Sequence, residues 1–328
     1  MREPELEHGH DDDREHVHEH EHDHPGPVGH RHPHPPEDPS GRPRIGIVGA
    51  GHAGLALGVA FSRAGWPVNA VASRDPDRRS RFTRLVASAR PVEVPQHLVD
   101  GVDLVFLTVP DDAIADVVAD LRLYGGQAIV HTSGALPADV LSPALAAGTS
   151  AGSFHPLVAF ADLDRSLDAL PGSTVALEGD ESLLGILAEL VSDIGAQPVR
   201  LPPGGKPAYH AAAVLAAGGF IGLLDAIAEL GRGAGLDEAG SLAIFGPLIR
   251  QSLANAESLG IASALTGPLL RGDVGTVRSH LDAMRRLAPG AIELYTAAAN
   301  REVALAEARG ALGTERADEL RALLGRGS

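Results

Sequence analysis

The short apolar run Arg44-Ile45-Gly46-Ile47-Val48 passes without a break into Gly49-Ala50-Gly51-His52-Ala53-Gly54, and an apolar stretch follows. A G-x-G-x-x-G between a strand and a helix constrains the chain more than any other feature it has. Gly49 permits the tight turn, Gly51 lets the backbone approach a pyrophosphate, and Gly54 allows close packing of helix on strand. The amides at the start of that helix, together with its positive dipole end, then face the anion. The loop residues Gly49, Ala50, Gly51, His52, Ala53 and Gly54 are therefore candidate cofactor ligands.

The type of dinucleotide is read about 20 residues on, at the end of the second strand. An NAD site places an acid there for the ribose hydroxyls. This sequence has Ala72-Ser73-Arg74-Asp75, with arginines again at 78 and 79. Ser73 and Arg74 suit a 2′-phosphate, which a guanidinium holds in a bidentate, charge-assisted pair. The expected cofactor is NADP, with NAD the lesser alternative and Asp75 the residue that would reverse the choice.

Beyond the loop, short apolar runs alternate with helical stretches, the pattern of βαβ units and a parallel sheet. Strands are expected at 44–48, 68–72, 103–108, 127–131, 150–154, 173–177 and 197–201, with a weaker one at 91–94. Helices are expected at 52–64, 112–121 and 181–194. After Pro202-Pro203-Gly204-Gly205 strand signals stop, and residues 207–328 are Ala/Leu-rich with helical spacing. The expected fold is α/β: a Rossmann domain with a doubly wound, mostly parallel sheet over 43–203, then an all-helical domain over 204–328. The uncharged run at 207–224 reads as a buried helix in preference to a membrane span.

Residues 1–42 hold ten of the 16 histidines. Residues 1–40 carry 12 acids against 3 basic residues, a large share of the net charge of −16. A segment this polar cannot bury enough surface to offset its ordering entropy, so it is expected to be a disordered tail. Its alternating His16, His18, His20, His22 and His24 suit a transition metal without fixed geometry, outside any reaction. The acidic balance argues against nucleic acid as a partner. The absence of cysteine removes disulfides, thiolate metal sites and thiol nucleophiles. No secretory signal opens the chain, and the expected location is cytoplasmic.

Lys206 is the single lysine beside 26 arginines. A position that keeps lysine under that bias points to a titratable ammonium, the alternative being an ordinary surface residue. With Pro207 at the first helical position, Lys206 would be the N-cap, where the helix dipole lowers its pKa toward the range of a general acid. His210, four residues on, projects from nearly the same face. It reads as a catalytic partner or as a hydrogen-bonded structural histidine.

The segments IGIVGAGHAG (45–54), VFLTVPDDAI (105–114), HTSGAL (131–136), SFHPL (153–157), KPAYHAAAV (206–214) and TGPLLRGD (266–273) together resemble the 6-phosphogluconate dehydrogenase-like superfamily. That group includes 3-hydroxyisobutyrate dehydrogenase, ketopantoate reductase, pyrroline-5-carboxylate reductase and prephenate dehydrogenase. Within it the chain is most similar to bacterial Rossmann-like oxidoreductases with a C-terminal domain of unknown function. The resemblance implies that Val109 and Pro110 lie along the ribose and nicotinamide half of the cofactor, and that Ser133 and Gly134 touch substrate. A helix-capping role is the other reading of Ser133. Lys206 and His210 match the spacing of the lysine and asparagine of 3-hydroxyacid dehydrogenases, with histidine in place of asparagine. His155 is similar to the His-Pro histidine of prephenate dehydrogenases, which polarises a substrate hydroxyl. Asn255, Thr266, Gly267 and Arg271 would close the cleft from the helical side, unless TGPLLRGD is only a helix break. The function implied is an NADP-dependent oxidoreductase moving hydride between nicotinamide and a small carbonyl, imine or alcohol. It would act as a homodimer through the helix after 207. The alternative is a non-catalytic NADP-binding sensor or scaffold on the same fold.

Overall fold

The computed structural model describes residues 41–325 except 147 and 203. The expected metal ligands His16, His18, His20, His22 and His24 lie outside the described residues. Eight strands form one sheet: β1 (Ile45–Val48), β2 (Val68–Ala72), β3 (Arg90–Val92), β4 (Leu104–Leu107), β5 (Ala128–His131), β6 (Ser150–Pro156), β7 (Thr174–Glu178) and β8 (Gln197–Arg200). Their order is β3-β2-β1-β4-β5-β6-β7-β8. Every neighbouring pair is parallel except β6 and β7. The chain reverses its winding direction between β1 and β4, the switch point where open α/β sheets bind ligands. Each expected strand lies within a residue or two of its place, and the weak 91–94 signal is the edge strand β3.

The strands are apolar because the sheet is covered on both faces. On one side α1 (His52–Arg63) and α6 (Glu181–Asp193) pack, with Phe61, Phe106 and Phe154 stacked at ring separations of 5.0–5.8 Å. All three rings are fully buried, and edge and tilted contacts of this kind add to the hydrophobic gain. On the other side α3 (Pro95–Val99), α4 (Asp111–Ala119) and a 3-10 segment, Ala138–Ala144, enclose Leu98, Val105, Leu107 and Ile114. Arg44 fixes the start of β1 to β4 through a two-pronged pair with Asp103, at 2.8 and 2.7 Å.

From Lys206 onward the described residues contain helices and no strand. A rod runs from α7 (Lys206–Val214) through a π-turn at Leu215–Gly219 into α8 (Phe220–Gly233). There follow α9 (Glu238–Leu259), the single turn α10 (Ile261–Ala264), α11 (Val274–Leu287), α12 (Ile292–Ala308) and α13 (Thr314–Gly325). The last three helices share a core around Val277, Leu281, Val303 and Leu320. The rod departs from expectation. It is long and apolar enough to cross a membrane by length and composition, yet the described residues leave it mostly unburied. Leu215, Ile221 and, on the neighbouring helices, Leu253 and Ile261 are all more than 60% exposed.

Candidate functional site

Gly49 stands at φ 107°, a conformation that favours glycine, and a Cβ there would lie 2.7 Å from the Thr108 carbonyl oxygen. A Cβ on Gly54 would lie 2.0 Å from the Gly49 carbonyl oxygen. Gly51 faces open space, with no atom within 4 Å of the position its Cβ would take. Two glycines are thus demanded by packing, and the third leaves the backbone open to a ligand. Thr108, not foreseen from sequence, ties the loop to β4 by donating to the Gly49 carbonyl at 2.6 Å. Helix α1 begins at the exposed His52, next to half-buried Ala53, with no side-chain cap and no acid in its first turn. Its leading amides and dipole are therefore available to an anion. Ala50 is buried beneath the loop.

At the end of β2, Asp75 is engaged by its own chain. Its carboxylate caps α2 (Pro76–Leu85), accepting from the amides of Asp77 at 2.9 Å and Arg78 at 3.2 Å. It also pairs with the Arg78 guanidinium at 3.3 Å. Ser73 Oγ accepts from the Asp75 amide, and the Ser73 carbonyl accepts from Arg79 Nη1. Arg74 is exposed and makes no hydrogen bond or ion pair among the described residues.

A polar cluster occupies the neighbouring part of the sheet. Register places His131 of β5 beside Ser153 of β6, and Ser153 beside Glu178 of β7. Glu178 Oε2 accepts from Ser153 Oγ at 2.9 Å and from Lys206 Nζ at 2.8 Å. The Lys206 side chain is 3% exposed and that of Glu178 is 23%. Burial pulls the ammonium's pKa below its ordinary value, and Glu178 opposes that pull. Lys206 is the first helical residue of α7 and Gly205 the cap, one position later in the helix than the sequence suggested. His131 is fully buried. Its Nε2 lies 3.1 Å from the Pro137 carbonyl, and its Nδ1 has no partner among the described residues. Burial, reinforced by Lys206, pushes its pKa down to about 4, so the neutral ring donates from Nε2.

His155, two residues beyond Ser153 on the same face of β6, has its pKa lowered to about 4 by burial and by the nearby His210 and Lys206. Its Nδ1 is 3.3 Å from the Tyr209 hydroxyl, and the rings meet edge to face at 5.7 Å. The His155 and His210 rings lie 5.8 Å apart. Their meeting point is Gly134. A Cβ there would lie 2.6 Å from His155 Nε2 and 2.3 Å from His210 Nδ1.

Lys206, His210, His155 and Gly134 are therefore brought together. Ser133 is adjacent but fully used: it donates to Asp111 Oδ2 at 2.8 Å and accepts from the amides of Ala135 and Leu136. A hydroxyl has one proton and two lone pairs, and all three are taken. Val109 and exposed Pro110 follow β4, Pro110 capping α4. Asn255 in α9, Thr266 and Gly267 in the turn after α10, and Arg271 before α11 form no hydrogen bond or ion pair with the cluster. Glu178, Tyr209, His131 and Asp111 were not anticipated. An acid closing the apolar run Thr174-Val175-Ala176-Leu177 was the available signal, since an acid in a sheet demands a partner. Among the described residues no group of three or more metal-ligating side chains is arranged to hold an ion.

Glycine loop, switch point and appended helices define a Rossmann-type protein with a helical C-terminal region. More specifically, residues 34–156 match the Rossmann-like domain and residues 173–302 match a domain of unknown function, DUF2520. Among curated proteins none matches. Several solved structures share the fold. A candidate NADP oxidoreductase from Bacteroides fragilis is 21% identical, with TM-score 0.67 over 80% of this chain and 98% of its own. A protein from Thermotoga maritima is 27% identical, with TM-score 0.61 over 81% and 99%. An imine reductase from Pseudomonas sp. is 18% identical, with TM-score 0.60 over 86% and 99%.

Proposed function

We propose that the protein is an NADP-dependent oxidoreductase acting on a small carbonyl, imine or alcohol. Residues 43–203 would form its cofactor domain, and residues 204–328 its substrate and dimerisation domain. One observation carries the reading. Strands β1, β4, β5 and β6 run parallel, so the glycine loop, Val109, Gly134 and His155 share one sheet edge, where Lys206 and His210 also converge. Names of the fold relatives agree, several being NADP oxidoreductases or reductases.

NADP, when bound, supplies or accepts the hydride. The α1 amides would hold its pyrophosphate and Arg74 its 2′-phosphate, because Asp75 is already spent on capping α2 and Arg78. Lys206 gives one of its three donors to Glu178, which leaves two to polarise a substrate oxygen or nitrogen. His155, neutral at pH 7, offers a hydrogen bond beside it. Ser133 serves the site indirectly, by shaping the turn that carries Gly134.

A second copy of the chain would cover the exposed apolar faces of α8 and α9. The rod is held at both ends, by Lys206 on β7 and by Glu229 accepting from the Gly290 amide at 3.0 Å, which suits packing against protein better than crossing a lipid layer. The proposed setting is cytoplasmic.

The test is direct. Purified protein is incubated with NADPH and panels of small carbonyls and imines, and with NADP and small alcohols, while nicotinamide absorbance is followed. Turnover of one class that Lys206→Met slows by about 10²–10⁴-fold is expected. Tight NADPH binding without turnover of any class would favour the sensor reading.

A further inference from the structure

One row of the sheet changes character as it crosses the strands. Register sets Ala72, Val48, Leu107, His131, Ser153 and Glu178 level with one another on β2, β1, β4, β5, β6 and β7. Residues level on neighbouring strands present their side chains to one face. The first three are apolar and buried. The last three are polar, and Lys206 reaches them from the start of α7. Polar groups on so covered a face cost free energy unless they are partnered.

Nothing in the position of Lys206 itself favours a charge. Its side chain is 3% exposed, and burial pulls its pKa down. It is also the first residue of a helix, where the dipole disfavours a cation. The titratable groups around it are Glu178 on β7, Asp111 on α4, His131 on β5 and His155 on β6, with His210 on its own helix. The rings of His131 and His155, with pKa values of about 4, are neutral at pH 7. Asp111 is exposed and already accepts from Ser133 at 2.8 Å, so solvent screens it. Glu178 is the acid that touches the ammonium, at 2.8 Å. Ser153 in turn fixes Glu178, donating at 2.9 Å to the same oxygen, Oε2, that receives Lys206. Ser153 is buried, so solvent does not compete for its proton.

We propose that Glu178 is a positioning residue that holds the Lys206 ammonium at the polar end of this row, with Ser153 fixing the carboxylate that does so. Glu178 acts through Lys206 and not on substrate. With the carboxylate in place Lys206 keeps a proton to offer. Without it the buried nitrogen releases that proton at lower pH and becomes an amine, which accepts a proton instead. The assignment deepens the oxidoreductase reading and rests on it for the reaction that uses the proton. The charge on Lys206, however, is a property of the protein without cofactor or substrate.

Lys206 is the single lysine, so NMR of the full chain with isotope-labelled lysine follows one side chain. Its Cε signal shifts as the ammonium loses its proton, and the midpoint of that shift against pH is the readout. The wild type is expected to hold an ammonium at pH 7. Glu178→Gln, which keeps the shape and removes the charge, should lower the midpoint by about 1–3 pH units, the effect of one opposite charge at contact range. Ser153→Ala, which keeps the charge and loosens the carboxylate, should lower it by less. An amine at pH 7 in the wild type, or a Glu178→Gln midpoint no lower than the parent's, overturns the proposal. If Glu178→Gln does not fold, Ser153→Ala decides, and an unchanged midpoint overturns it. With a substrate in hand, the alkaline limb of the NADPH-dependent rate should move down in Glu178→Gln together with the midpoint, and a limb that stays in place removes Glu178 from the reaction. Should no substrate turn over while the midpoints move as stated, the oxidoreductase reading falls and Glu178 stands as the group that holds Lys206 charged.

Discussion

The sheet region and the helical rod treat apolar surface in opposite ways. Strands β1 and β4 bury every residue, and the helices over them complete two cores. The rod and α9 leave Leu215 at 71%, Ile221 at 64% and Leu253 at 61% exposed. Scattered exposed leucines are ordinary, but a contiguous apolar face on neighbouring helices marks an interface. The sheet region closes its own core, while the rod and α9 need another surface.

Breaking that interface is expected to give the largest effect. Ile221→Asp places an unpaired carboxylate on each side of a symmetric contact. Sedimentation should show dimers in the wild type and monomers in the variant, at unchanged helical content by circular dichroism. A monomeric wild type would mean that the rod face is covered by something else or by nothing.

Next in size is the joint between the two regions. Lys206→Met removes the cation from Glu178 and strands a half-buried carboxylate. Loss of one partner of a buried pair costs about 3–5 kcal/mol, and the partial exposure of Glu178 favours about 3 kcal/mol. Urea denaturation measures it. A loss under about 1 kcal/mol would show that the pair does not fasten the rod to the sheet. Glu178→Gln combined with Lys206→Met should recover part of the loss, because the amide carries no charge.

The histidines make a pH-dependent contribution. His131 and His155 titrate near 4 in the folded protein and near 6.5 when unfolded. The unfolded chain therefore binds more protons between those values, and stability falls as pH drops from about 6.5 to 4. The decline should amount to a few kcal/mol, since each pKa unit is about 1.4 kcal/mol. Melting temperatures measured from pH 7.5 to 4.5 should show it, and His155→Gln should flatten the curve by about half. A melting temperature that rises toward pH 5 would contradict the burial of both rings.

The same contrast explains what the sequence disclosed. The glycine loop and strands were legible because local chemistry determines them: a turn that needs glycine, a strand whose apolar run fits a covered sheet. Lys206 and His210 stood out through rarity and helical spacing. Glu178 and Tyr209 did not, because their roles depend on register between β6 and β7 and on where α7 lands, which no local pattern encodes. The rod misled for a related reason. Its composition reads as buried, and none of the described residues supplies the burying surface.

The NADP site proposed at the glycine loop and Arg74 is tested most directly by cofactor titration. Calorimetric titration of the wild type should show NADPH binding tighter than NADH. Arg74→Ala should weaken NADPH by about 10–100-fold, the loss of a charge-assisted pair to the 2′-phosphate, and leave NADH nearly unchanged. Tighter binding of NADH by the wild type, or an Arg74→Ala variant that holds NADPH as well as its parent, would contradict it.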